Sequence, residues 1–497
     1  MSVRRPEFIA LVAVSAALLV LRLFAARTVG FGDSEALYAA YALHPQSGYL
    51  DHPGLVGLVA RTIGGGTAPT PQGAHRITAV LATALPLIMA WTCTVCGAPW
   101  PRALAAGVVV ALVPEIGVGL FALTPDLLLS FAWTMSIAAA ASAVGARPRS
   151  GEASFWFALA GLMAGVASAS KVTGALLFVT LATTYWLPPC RAHSRSLAPW
   201  AGLAAGAVVP LPIVAFEASS GWPMLRHRLV DTQSGAGLSV RNLGATIGGQ
   251  IAYLSPLVAV LACLAVIAAW RGRRDPIGAL LFTTFAIPLG LLLPLCLWSR
   301  TAEPHWLAPS LLALVPAAAR DPMAAPRRLV VASSILSGAI VICMHAWVLI
   351  PGVSALAPAW SDPRLDISNE LYGWPEVVRA AREEIAARRL SGAPEDLVAT
   401  VGPHWVICAQ LEAGLRGDAL VGCNTPVRDD FDDWVPRSRW NDAESLLWVT
   451  DTRFGPAPKL PGRVPSRSRQ ISIRRGSRIV RVFTLTWLER CALAGAA

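Results

Sequence analysis

Asp33 and Glu35 flank Ser34 just after the first long apolar run, and Asp51-His52-Pro53 follows in the same polar stretch. A carboxylate within hydrogen-bond reach of a hydroxyl takes up its proton as the oxygen bonds to an electrophile, so either acid is a candidate general base. The same residues have an ordinary reading: Asp33 or Ser34 caps a helix, and Pro53 suits a first helical position. Capping alone does not account for two acidic clusters and a histidine in one loop. Thr124-Pro125-Asp126, taken alone, is a helix start, with Thr as cap, Pro first and Asp favouring the dipole. Lys171 is different, because it sits between two apolar blocks. A lysine at a bilayer centre costs about 2.5–3.5 kcal/mol, so it needs an outer-face position or an anionic partner such as a phosphate. The stretch from Gly221-Trp222-Pro223 to Arg241 carries Arg226, His227, Arg228 and Asp231, and is either a solvated loop or a second anion-binding region. Glu303 and His305, two apart at a helix start, can share a metal ion or a hydroxyl.

The elements that must position these residues are membrane helices. Of 497 residues, 55% are hydrophobic and 14% charged, against about a quarter charged in soluble domains. The apolar residues fall in blocks, and roughly 20 of them span a bilayer as a helix. About eleven spans are predicted, starting near Phe8, Ile77, Ala103, Leu127, Phe155, Val172, Trp200, Ile247, Ile277, Trp306 and Leu329. The segments at Phe155 and Val172 are short and read as a broken pair meeting at Lys171. The first block has no small-residue cleavage site and is read as a retained helix. A net charge of +11 raises the question of nucleic acid, but the arginines cluster in short loops rather than along a groove-binding stripe, so no nucleic-acid partner is expected. Arg4 and Arg5, Arg102, Arg147 and Arg149, Arg191 and Arg195, Arg271 to Arg274, and Arg320 to Arg328 all fall on one side when the N-terminus is cytoplasmic. Every candidate chemical residue then falls on the other. Cys93 and Cys96 form a CxxC inside an apolar helix and read as core packing. Cys408 and Cys423 can form a disulfide if the tail is oxidised.

The motifs, in order, resemble the polyprenyl-phosphate-dependent glycosyltransferases of the GT-C fold. Those carrying the match are Asp33-Ser34-Glu35-Ala36-Leu37-Tyr38, Tyr49-Leu50-Asp51-His52-Pro53, Thr124-Pro125-Asp126, Ser170-Lys171, Gly221-Trp222-Pro223, Glu303-Pro304-His305-Trp306 and Leu371-Tyr372-Gly373-Trp374. The closest group is similar to bacterial lipopolysaccharide-core sugar transferases. Protein O-mannosyltransferases and lipid A aminoarabinose transferases, of the glycosyltransferase family 39/83 type, are more distant. The resemblance implies a polytopic α-helical membrane protein, with amphipathic helices in its first outer loop and a small C-terminal extracytoplasmic α/β domain. The catalytic membrane domain is expected over residues 1–350 and the tail domain over 351–497. The family's usual pattern has two adjacent acidic residues, whereas here Ser34 separates them; Gly54 stands where a second proline is common.

The activity implied is transfer of a sugar from a polyprenyl (undecaprenyl) phosphate donor to a hydroxyl of a glycan, lipid or protein, on the periplasmic face of the inner membrane, with inversion. Asp33, or else Glu35, is the expected base. Lys171, Arg228 and Arg241 are candidates for the leaving phosphate, and Asp51, His52, Asp126, His227, Glu303 and His305 for sugar hydroxyls or a divalent metal. Hard oxygen ligands favour Mg or Mn, and a mixed His and carboxylate set Zn. The rivals are a secondary transporter, for which Glu115 beside Pro114 is the best feature, and a non-catalytic membrane partner with the same fold. In the tail, a helix is predicted over 375–390 and strands over 398–401, 446–450 and 479–486.

Overall fold

The computed structural model describes residues 6–301, 303–358, 360–390 and 398–490. Arg4 and Arg5 lie outside them. The chain divides into two compact units: Met1–Leu23, Ser47–Val56 and Ile77–Met344 in one, and Phe24–Gln46, Gly57–Arg76 and His345–Ala497 in the other. Phe24–Gln46 and Gly57–Arg76, from the N-terminal part of the chain, thus group with the C-terminal part.

The first unit is helical. Among the described residues, six helices are long and apolar enough to cross a membrane: Pro6–Thr28, Pro71–Val95, Pro125–Gly145, Gly151–Ser170, Pro276–Trp298 and Arg327–Leu349. Three bent pairs bring the number to nine when each is taken as one span. The two remaining predicted starts fall on the shorter apolar helix Val172–Trp186 and on short helical pieces between Pro304 and Arg320, so the expected eleven is the long spans plus these fragments.

The bends have local causes. Pro114 ends Trp100–Leu112 and turns the chain by 69°. Arg22, fully buried, spans this break, donating to Thr83 Oγ1 at 2.9 Å and to the Ile116 carbonyl at 2.6 Å. An intramembrane guanidinium is tolerated here because carbonyls freed by the break accept from it. Val240–Leu254 and Pro256–Gly272 meet at 104° about Ser255, whose φ is +75° and whose hydroxyl lies 2.6 Å from that of Ser337.

Close packing of Gly151–Ser170 on Ala198–Ala207 rests on glycines. A Cβ on Gly161 would lie 1.9 Å from the Gly202 carbonyl oxygen, and one on Gly206 1.9 Å from that of Gly161. Small residues at four-residue spacing let the backbones touch, which is how helices associate where lipid supplies no hydrophobic drive.

In the second unit five strands, β1 Val398–Gly402, β2 Leu420–Cys423, β3 Ser445–Asp451, β4 Arg463–Arg475 and β5 Arg478–Arg490, form one sheet in the order β2-β1-β3-β5-β4. β1 is parallel to β2 and β3; β5 is antiparallel to β3 and β4. Ala399, Val401, Leu446, Trp448 and Leu488 build a core with Val435 and Trp440. Helices Trp374–Leu390 and Trp405–Leu415 belong to the same α/β unit. The predicted helix and three strands are present. β2 and β4 are additional: β2 is short, and β4 is an edge strand whose exposed arginines and serines carry no apolar alternation.

Replacing Gly206 by leucine drives a side chain into backbone that cannot yield. We expect a loss of at least about 3 kcal/mol, the upper end for overpacking, seen as a sharp drop in the detergent-solubilised melting temperature. An exposed control, Gly237→Leu, should leave it unchanged.

Candidate functional site

In the first unit, a helix break sets the centre. Helix Gly151–Ser170 ends at Lys171, which is extended (φ −150°) before a short 3-10 turn. The Lys171 ammonium donates to Asp126 Oδ1 at 2.7 Å and Oδ2 at 3.0 Å. Asp126 is placed by the helix start read from the sequence: Thr124 Oγ1 accepts from the Leu127 amide, with Pro125 first in the helix. His305 joins from the turn Pro304–Leu307, its Nε2 lying 3.2 Å from Lys171 Nζ and its Nδ1 3.1 Å from Glu303 Oε2. A proton on Nδ1 satisfies both contacts, donating to Glu303 and leaving Nε2 to accept from the ammonium. The bond from His305, foremost, holds the Glu303 carboxyl below its ordinary range.

A second pair stands close by. Arg228 meets Asp51 Oδ1 at 2.9 Å, and His227 Nε2 lies 3.7 Å from the same oxygen. Asp51, His52 and Pro53 do not open a helix, as the sequence led us to expect. They sit in a tight loop closed by the Tyr49 amide on the His52 carbonyl and the Gly54 amide on that of Ser47, and the helix begins at Leu55. His52 is buried within range of both pairs: burial first, then Arg228 and Lys171, keep its imidazole well below 6.5, so it is neutral. Arg226 pairs with Asp231 at 3.6 Å. Arg241 does not join the cluster; it is exposed in the first turn of Val240–Leu254 and makes no ion pair among the described residues.

Glu115 faces a cavity of about 540 Å³ whose walls include Val109, Leu120, Leu254, Leu261 and Leu312. Arg102 and Arg327 lie among its lining residues, and helix Trp100–Leu112 alone extends for about 20 Å. Glu115 is within electrostatic range of His305, Asp126 and Lys171, so this apolar cavity adjoins the polar cluster.

Asp33 and Glu35 belong to the other unit. Neither Asp33 nor Ser34 is the cap of their helix: Gly32 is, and Glu35 reaches back to its amide at 3.3 Å. Both Glu35 oxygens also meet His75 Nε2, at 2.8 and 2.9 Å. The acid is thus committed to holding its own helix. Asp33 is bound differently. Its Oδ2 accepts from Arg453 at 2.6 Å, and Gln410, which donates to the Phe31 carbonyl at 2.8 Å, lies 3.5 Å from its Oδ1. Asp451, fully buried, holds Arg453 from behind at 2.9 Å. Glu370 lies 3.8 Å from Arg453. Burial, then the Asp33 charge, push the Glu370 carboxyl up to about 7. Sequence reasoning missed His75, Glu370, Gln410, Asp451 and Arg453; no spacing signals a partner 420 residues away.

Among the described residues no three His, Cys, Asp or Glu side chains form a metal-holding group. Asp126 and His305 instead share an ammonium.

No protein-family model matches the sequence. No curated protein matches it. Solved structures do. ArnT from Cupriavidus metallidurans, in a crystal structure bound to undecaprenyl phosphate, superposes with a TM-score of 0.59 over 98% of this chain and 99% of that one, at 14% identity. The Archaeoglobus fulgidus oligosaccharyltransferase AglB, in complex with an inhibitory peptide and a dolichol-phosphate, does so at 0.53, with 12% identity, over 89% of this chain and 69% of that one. The chain has the GT-C fold. Its apolar helices and that fold make it a multi-pass membrane protein.

A GT-C chain with this constellation should show the raised Glu370 acidity in its stability. Unfolded, Glu370 ionises near 4.5; folded, near 7. The unfolded state therefore gains from ionisation first, and stability falls as pH rises from about 4.5 to about 7, then levels. Glu370→Gln should flatten this part of the melting-temperature profile; an unchanged slope would remove Glu370 from the account.

Proposed function

We propose that this chain is an inverting glycosyltransferase that moves a sugar from a polyprenyl phosphate to a hydroxyl of a cell-envelope glycan, lipid or protein. The reaction is placed on the extracytoplasmic face of the inner membrane, with the N-terminus cytoplasmic. The observation that carries this reading is the Lys171 ammonium held at a helix break by Asp126 and His305, beside an apolar cavity. A lipid phosphate combines the charge that meets Lys171 with the chain that fits the cavity. Most of the loop arginines fall in one set of connections, with Arg226, Arg228 and Arg241 in the other, and this bias supports the orientation.

The chemistry follows from the charges. Lys171 and Arg228 stabilise negative charge as the bond between the anomeric carbon and the phosphate oxygen breaks and its electron pair passes to that oxygen. Asp51, Asp126, His227, His305, Glu303 and the neutral His52 are available to sugar hydroxyls. The acceptor hydroxyl attacks the anomeric carbon from the opposite face, and Asp33 takes its proton. Glu35, occupied by His75 and the Gly32 amide, serves as a positioning residue. The products are the transferred sugar in inverted configuration and the polyprenyl phosphate. No step is routed through a metal.

Asp33→Asn should cut release of polyprenyl phosphate from a synthetic polyprenyl-phosphate sugar roughly several hundredfold, within the usual range for a general base, measured on protein held well below the variant's own melting temperature because the Arg453 pair is weakened. Lys171→Met should lower kcat and raise KM, and Lys171→Arg should recover part of both. Wild-type rates in both Asp33→Asn and Glu35→Gln would refute the base. Glu115 favours a transporter; Glu115-dependent uptake into proteoliposomes, without sugar transfer, would decide for it.

A further inference from the structure

Cys408 lies on helix Trp405–Leu415 and Cys423 ends β2. Both are buried, and their sulfurs face each other 2.6 Å apart. Gly402 of β1, the register partner of Cys423, makes this approach possible: a Cβ there would stand 2.9 Å from Cys408 Sγ. The same helix carries Gln410, which donates to the Phe31 carbonyl beside Asp33, and Glu412, which meets His44 Nε2 at 2.8 Å. A bond between the sulfurs would fasten to the sheet the helix on which the Asp33 segment rests.

We propose that Cys408 and Cys423 are joined by a disulfide in the mature protein. The inference rests on the placement of the tail on the oxidising, extracytoplasmic side. One cysteine thiolate attacks the disulfide of an exported thiol oxidant and displaces one of its sulfurs; the second cysteine then attacks the mixed disulfide. The protein's S–S bond forms, the oxidant is reduced to a dithiol, and the two thiol protons pass to its sulfurs. Burial pushes both thiols above their ordinary acidity range, so neither is a ready thiolate once the helix has packed. Exchange belongs to the stage before packing, and the finished bond is shielded from external reductant.

The test uses the full chain, extracted from membranes in excess alkylating agent, denatured, and digested without reduction. The peptides holding Cys408 and Cys423 should appear linked, lighter by two hydrogens than the free pair, and should separate only after reduction in denaturant. Recovery of both as alkylated free thiols overturns the proposal. A parallel arm separates it from topology: Ser466→Cys, on exposed β4 in a Cys408→Ala/Cys423→Ala background, is probed in intact spheroplasts with an impermeant maleimide. Labelling of that peptide from outside, with the wild-type thiols free, overturns the disulfide and leaves the tail's location standing. Labelling only after lysis, with free thiols, overturns both.

Discussion

An ammonium group does not remain among apolar helices unless something answers its charge, and the membrane unit is arranged around that constraint. Lys171 is tolerated because the helix carrying it stops there, because another helix begins with Asp126 opposite, and because a short turn brings His305 to the remaining face. Removing one partner of a buried pair leaves an uncompensated charge at a cost of about 3–5 kcal/mol. Helix breaks that would weaken a structural bundle thus become the places where polar groups gather, each satisfied by a neighbour. Arg22 repeats the logic at the Pro114 bend, where carbonyls rather than a carboxylate receive it.

How far the sequence reveals this depends on how local the cause is. Lys171 stood out as one charge between apolar blocks, and Thr124-Pro125-Asp126 as a helix start, because capping is decided within a turn of chain. All eleven predicted starts fall on helical segments, although those near Val172 and Trp306 fall on shorter pieces than a hydropathy window implies. Legibility fails where the determinant is remote or lacks a period. β4 escapes because an edge strand exposed along most of its length needs no alternation. His75 looks like an ordinary helix residue until Glu35 is seen against it. Pro53 gives the loop of Asp51 and His52 the pattern of a helix start, while two backbone bonds close it as a turn.

The two acids of the first loop show what their spacing means. With Gly32 as cap, Asp33 falls at the first helical position and Glu35 at the third, where a side chain can reach the cap amide. Glu35 turns inward to do this and to hold His75. Asp33, two residues earlier, projects elsewhere and meets Arg453. The serine between the acids thus separates a helix-holding carboxylate from one that pairs far along the chain. Adjacent acids would place the second at a position that does not reach back.

Arg453 is that distant partner, and it is itself held in place. Asp451 is fully buried and grips it from behind, Glu370 approaches from the side, and the guanidinium is left presenting one edge to Asp33. A carboxylate held this way has a fixed orientation before any substrate arrives, which is the preorganisation a base needs. The C-terminal part thus supplies Gln410, Glu370, Asp451 and Arg453 to the surroundings of Asp33 within its own unit. Without those four side chains, Asp33 would be one more charged residue at the start of an eight-residue helix, with no buried partner to set its direction.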